Sequence, residues 1–242
     1  MTTAQTTPTP GTTRRAAPTP GRAFIVVWQH PQTRAFAQVG RLEVHADRYR
    51  FRYDAAAADV DGFEPFLAFP ELDRTYDAPE LFPFVRNRVL SPRRPDYPAY
   101  LERLGLHTGD PVEILARSGG GRATDTVHLV PEPVLTDAGC IELRFLASGV
   151  RHADPDGTHL SSVAPGDLLA LRDDVGNPAN PCALLLDNTS GEEVGWVPDY
   201  LLDTVRGLRE FYVVQVIADV VNGPDTPAHL RLLCLLRATP QT

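Results

Sequence analysis

GDLLALRDDVGNPANPCALLLDNTSGEEVGWVP, residues 166–198, holds three short apolar runs, DLLALRD, CALLLDN and EEVGWVP, divided by Gly, Pro, Asn and Asp clusters. Short apolar runs bounded by such turn residues read as strands. The strand pattern continues on both sides. IELRFLAS (141–148) precedes it, and FYVVQVIADVV (211–221), a Gly/Pro turn and LRLLCLLRA (230–238) follow as a hairpin expected to pack back onto this module or across the joint before it. One short helix interrupts the run, DYLLDTVRGL (199–208), with Leu201, Val205 and Leu208 on one face.

The N-terminal half reads as a second sheet with short helices. FIVVW (24–28) has a buried-strand pattern and is followed by FAQVGRLEV (36–44). RYRFRY (48–53) alternates strictly, so Tyr49, Phe51 and Tyr53 share one face, and Arg48, Arg50 and Arg52 the other. GFEPFLAFP (62–70) reads as short strand or extended chain, 98–106 as a helix stopped by Gly105, and VHLVP (127–131) as a strand. Asp110 to Gly119 predicts a helix with Asp110 as N-cap, Pro111 in its first turn and Glu113 completing a capping box. LTDAG (135–139) is the expected joint. The fold class predicted is α+β, β-dominated: a tail over 1–22, a sheet module over 23–138 and a β-barrel module with a C-terminal hairpin over 139–242.

Composition bounds the function. The 242 residues carry a net charge of −8, and every one of the 23 basic residues is arginine. The high Ala and Pro content points to a high-GC bacterial genome. Residues 1–139 hold 16 Arg against 17 acids, whereas 140–242 hold 7 Arg against 14, so the negative charge sits in the second half. A polyanion-binding surface there needs a local patch that beats an unfavourable mean field. Residues 1–22 contain Thr, Pro, Ala and Gly with Arg14, Arg15 and Arg22 and no acid, which predicts a disordered, solubilising tail with weak attraction for polyanions. No apolar run approaches the roughly 18 residues of a membrane span, and the N-terminus lacks a signal-peptide core, so a cytoplasmic protein is expected. Cys140, Cys182 and Cys234 form no CxxC pair and read as small buried hydrophobes in a reducing compartment.

Two resemblances give these modules a meaning. IVVW (25–28), VGRLE (39–43), YRFRYD (49–54), LAFP (67–70), LFPFVRNRVLSP (81–92) and VEILARSGGGRATDTVHLVPE (112–132) together resemble the N-terminal region of HipA-type kinases. The family's ATP-binding and catalytic residues come later, in a domain of a few hundred residues, whereas here another module begins near residue 140. Phosphoryl transfer also needs a phosphate-holding lysine, and the chain has none, so no enzyme activity is expected. Ser118-Gly119-Gly120-Gly121-Arg122 follows a helix instead of preceding one, and reads as a helix stop, not a phosphate cradle.

LASGVRH (146–152), GDLLALRDDVGNPANPCALLL (166–186) and GEEVGWVP (191–198), followed by the short helix, resemble a HIRAN domain, with Asn177-Pro178, Ala183, Val194-Gly195 and Pro198 in register. This implies a small OB-like barrel that, in helicase-linked members, grips the 3′ end of single-stranded DNA. The family's basic-aromatic pair maps to Arg151-His152, so His152 stands where a base is stacked. Its ring- and Asp-bearing positions after Asn-Pro map to Ala179, which cannot stack, and Asn180, which can accept a bond from a 3′-hydroxyl without a carboxylate's charge. Trp196 is the ring available to replace the lost stacking surface.

Other groupings have plainer explanations beside them. Arg48, Arg50 and Arg52 are spaced about 7 Å apart, which suits successive phosphates with Arg41 added, and equally a solvated strand face. Arg86, Arg88, Arg93 and Arg94 form a loop cluster of the kind that usually faces water or pairs with acids. His152, Asp154, Asp156 and His159 resemble a metal loop, but Pro155 and Gly157 mark a turn. No metal, cofactor or catalytic site is expected. The nucleic-acid-binding residues expected are Arg151, His152, Asn177, Asn180, Trp196, Arg48, Arg50 and Arg52. Two functions follow: a DNA-binding accessory protein, in which DNA affinity is steep in salt and carried by arginine, or a protein-interaction adaptor in a toxin–antitoxin or defence context.

Overall fold

The computed structural model describes residues 21–121 and 126–241. Strands β1 (Ala23–Gln29), β2 (Phe36–Val44), β3 (Tyr49–Tyr53), β4 (Tyr76–Ala78) and β5 (Val127–Pro131) form an antiparallel sheet in the order β4-β3-β2-β1-β5. Three helices, α1 (Pro83–Arg86), α2 (Tyr97–Arg103) and α3 (Pro111–Ser118), lie in the chain between β4 and β5. The aromatic face of β3 is inward as expected: Tyr49, Phe51 and Tyr53 are buried in a core shared with Phe24, Leu42 and Phe69. The Tyr53 hydroxyl donates to the Phe69 carbonyl (2.8 Å) and accepts the Phe66 amide N–H (2.7 Å). These bonds organise GFEPFLAFP, which forms turns and no strand. Burial pushes the Tyr53 hydroxyl up to about 12.

α3 starts and stops as its sequence dictates. The Asp110 carboxylate accepts the Val112 N–H (2.9 Å), and Gly119 closes the helix at φ 69°. The glycine run is therefore a helix stop, although Arg122 lies outside the described residues. The capping box does not form. Glu113 instead takes both ends of the Arg22 guanidinium at 3.0–3.1 Å, and the backbone of Gly21 and Arg22 bonds to Val44. Ordered chain thus begins before Ala23, and the rest of the expected tail lies outside the described residues.

The second sheet contains β6 (Val134–Leu135), β7 (Ile141–Leu146), β8 (Leu168–Asp173), β9 (Leu184–Asp187), β10 (Glu193–Trp196), β11 (Tyr212–Val221) and β12 (Leu232–Pro240). All pairs are antiparallel, in the order β10-β9-β8-β11-β12-β7-β6. Its helices are α4 (Val150–Ala153), α5 (Thr158–Ser161) and α6 (Leu202–Phe211), the last preceded by a 3-10 turn over Asp199–Leu201. The expected hairpin is β11–β12, at the middle of this sheet. β6 pairs with β7, so the change of sheet falls at residues 132–133, earlier than the expected joint. The sheet does not close as a barrel. One isolated bridge joins its far ends, with Ser148 N–H to Trp196 O at 2.8 Å and Trp196 N–H to Ser148 O at 2.9 Å.

The sheets share a core. β1 buries Phe24 and Val26 with the aromatic cluster, while Val27, together with Val130 of β5, joins the core of the second sheet. Burial on both faces is why FIVVW reads as an unbroken apolar run. Phe36, His128 and Tyr200 seal the seam, with the His128 and Tyr200 rings stacked at 5.1 Å. Arg117 reaches the Leu104 carbonyl (2.8 Å) and lies 3.8 Å from Asp219, which accepts from Arg144 at 2.8 Å. Cys234 is a buried hydrophobe as expected, but Cys140 is only half-buried and Cys182 is exposed. No helix among the described residues is long and apolar enough to cross a membrane.

Candidate nucleic-acid interface

Of the expected site residues of the second module, Trp196 and Asn177 meet on Asp174, and Arg151 and His152 follow the turn on which Trp196 packs. LASG turns sharply at Gly149 (φ 64°), the N-cap of α4, and sends Arg151 and His152 into solvent. Trp196 packs against this turn: a Cβ built on Gly149 falls 2.4 Å from its Cε3. The indole Nε1 donates to Asp174 Oδ2 at 2.9 Å, and Asn177 Nδ2 donates to the same oxygen at 2.9 Å. Those two donors, the indole first, hold the Asp174 carboxyl below the usual aspartate range. Asn177 Oδ1 then accepts the N–H groups of Ala179 (2.9 Å) and Asn180 (3.1 Å). A continuous chain of contacts therefore runs from α4 through Trp196 to the 174–180 loop.

The same loop already engages two of the expected residues. Asn177 spends its amide on Asp174 and the loop backbone, so it builds the site and presents no free oxygen. Asn180 Oδ1 already accepts the Cys182 N–H (2.9 Å). Its side chain borders an open cleft of about 700 Å³ together with Ala179, Cys182 and, from the β1–β2 turn, Arg34. Asp174 and Gly149 are the positions that residue-by-residue reading did not single out. The signal for Gly149 was its place between two motif residues, and Asp174 carried none.

Arg151 is set apart by what the other arginines do. The second half has seven. Arg144, Arg172, Arg206, Arg209 and Arg237 bind carboxylates, and Arg231 donates to the carbonyls of Thr226 and Pro224. Arg151 alone has no partner among the described residues.

The β3 arginines lie on the other sheet. Arg50 binds Asp77 at 3.0 Å, Arg48 lies 3.7 Å from both Asp47 and Asp77, and Arg41 binds Glu132 at 2.7 Å. Only Arg52 stands without a partner among the described residues, so the row is largely neutralised. The loop cluster also divides. Arg88 is buried, donating to the Gly120 (3.2 Å) and Val127 (3.0 Å) carbonyls over the Phe84 ring, and Arg94 pairs with Asp96. No group of three metal-ligating side chains occurs among the described residues. Asp154 is buried and accepts the Leu160 N–H (2.8 Å), as a turn requires. His159 bonds the Glu193 carbonyl through Nδ1 (2.9 Å), which raises its pKa above the usual range.

No family model and no curated protein matches the chain. Solved structures similar to part of it include the HIRAN domain of human HLTF, at 17% identity and TM-score 0.30, covering 43% of this chain and 79% of that one. A protein from Lactobacillus plantarum aligns at 15% identity and TM-score 0.33, covering 41% of this chain and 92% of that one.

Proposed function

We propose that this chain is a non-catalytic, nucleic-acid-binding accessory protein of the bacterial cytoplasm. Its HIRAN-like module engages single-stranded DNA ends at Arg151, His152 and Trp196, and its first module is a HipA-like scaffold without a kinase core. The observation that carries this reading is the unpaired Arg151. In a module whose other arginines are all bonded within the protein, an unpaired exposed guanidinium on the helix that follows Gly149, the residue packed on the hydrogen-bonded Trp196 indole, fits one phosphate and one stacked base. Asp174 sets the ring and Gly149 leaves room for it.

Fluorescence anisotropy with 3′-hydroxyl, 3′-phosphate, blunt and 5′-tailed DNA tests the reading. Single strands should bind best, and Arg151→Ala should weaken them about tenfold, the value of one charge-assisted contact. Ala179→Tyr with Asn180→Asp should add a preference for 3′-hydroxyl ends of about 1–3 kcal/mol. Absence of DNA binding, or binding indifferent to both Arg151→Ala and Trp196→Ala, refutes it. The internal use of Asn177 and Asn180 and the ringless Ala179 favour a second reading, a protein-interaction adaptor, which that outcome would leave in the lead.

A further inference from the structure

The loop between α1 and α2 opens a groove of about 710 Å³ on the first module, remote in sequence from the residues assigned to DNA. Arg86 and Arg93 line it, with Asn87 and Ser91 beside them. Among the described residues no Asp or Glu lines it. The nearby carboxylates are otherwise engaged. Asp96 holds Arg94 and Asp110 is buried as the cap of α3, whereas Glu80 pairs with Arg86 itself at 3.5 Å, an exposed contact that a peptide carboxylate has to displace. Arg93 has no side-chain partner among the described residues.

The remaining wall is apolar. Val89 and Leu90 pack against the cluster of Tyr97, Leu104 and Ile114, which fixes this side of the groove to the protein core. A groove lined by apolar side chains together with two cations and an amide suits a peptide carrying acidic and apolar residues, the ordinary division of a binding cleft into anchors and orienting polar groups. It does not suit a nucleic acid. The one ring that lines it, Tyr97, is 9% exposed, and a Cβ on Gly109 would meet its hydroxyl at 2.5 Å, so no face is open for a base to stack on. Nor does it suit the chain's own N-terminal segment, which contains Arg14 and Arg15 and no acid before residue 22.

We infer that this groove is a docking site for an acidic, apolar-anchored peptide segment of a partner protein. Arg86 and Arg93 pair with its carboxylates, and Val89, Leu90 and Pro92 receive its apolar side chain.

The test is panning of a random peptide library against the full chain, with the R86Q/R93Q double variant as counter-target. Both arginines are exposed and make no bond to the core, so the variant should keep its melting temperature. Selected sequences should be rich in Asp and Glu around an apolar residue. A labelled representative should bind the double variant about tenfold more weakly, with R52Q unaltered as control. Failure to enrich acidic sequences, or equal binding by the double variant, overturns the inference. Displacement of the bound peptide by an octathymidine oligonucleotide also overturns it, by reassigning the groove to nucleic acid.

Discussion

Replacing Gly149 by alanine tests the geometry of the proposed site in one atom. Gly149 sits at φ 64°, where an L-residue pays about 1–2 kcal/mol. The new Cβ would also stand 2.4 Å from Trp196 Cε3 and 2.8 Å from Cζ3, far inside the roughly 3.5–4.0 Å of a carbon contact. The ring cannot yield freely. Its backbone is bonded twice to Ser148, and its Nε1 is held by Asp174 at 2.9 Å. Overpacking of this kind costs about 1–3 kcal/mol, and escape by swinging the ring out forfeits a bond to a charged group of similar worth. The sum is about 2–5 kcal/mol. Gly139→Ala supplies the control, because its φ is 76° and no atom lies within 4 Å of the added Cβ, so only the backbone cost remains. Urea unfolding should give about 1–2 kcal/mol for Gly139→Ala and at least about 1 kcal/mol more for Gly149→Ala, with unchanged m-values. DNA affinity should fall in the second variant only. Equal destabilisation by the two substitutions would show that the indole is not clamped at Gly149, and the assembly of the site around Trp196 would fail with it.

Replacing Arg48, Arg50 and Arg52 together by Gln should flatten the dependence of log K on log salt by no more than about 0.7, one single-strand phosphate, because only Arg52 is unpaired. A loss near 2 in an anisotropy salt series would show the ion pairs open to DNA. Tyr53→Phe removes both bonds of a buried hydroxyl and should cost about 1–3 kcal/mol by chemical denaturation; less than about 0.5 kcal/mol would mean the Phe66 and Phe69 backbone groups find other partners. The Asp174 carboxyl titrates below its unfolded value, so the bond to Trp196 stabilises the fold above about pH 3.9 and is lost as pH falls through the lower folded pKa. The Trp196 indole N–H resonance should therefore stay put down to about pH 3.9, and a midpoint above that value refutes the assignment.

Much of the fold was legible because its signals are local. The two-residue period of RYRFRY placed Tyr49, Phe51 and Tyr53 inward without knowledge of any partner strand. Asp110, Pro111 and Gly119 bracketed α3 by capping chemistry alone. What failed depended on residues distant in sequence. Glu113 met Arg22 across 91 positions and left the capping box unmade, and Asp77 neutralised Arg50 across 27. At the site, the Arg151-His152 dipeptide was visible as a motif, but the engagement of Asn177 was not. Its bond to Asp174 matters only once β10 brings the Trp196 indole to the same oxygen.

The excess of acid in the second half looks hostile to DNA, and the ion pairs bear on the contact proposed at Arg151. Asp173, Asp187, Asp219, Glu142 and Glu193 each hold an arginine, so those charges cancel at short range. What acts beyond a Debye length of about 8 Å is the residual negative field, and salt screens it. Arg151 keeps no carboxylate partner among the described residues, and the Asp174 charge is spread over two donated hydrogen bonds. Binding built this way cannot draw on a row of neutralised phosphates, as an arginine-carried and salt-steep interface would. The proposed site would have to draw on one guanidinium and on base stacking, which would favour strand ends and unpaired bases over duplex backbone. For the DNA binding proposed here, the ion pairs therefore argue against the salt-steep dependence expected from arginine content, and an anisotropy salt series decides between the two.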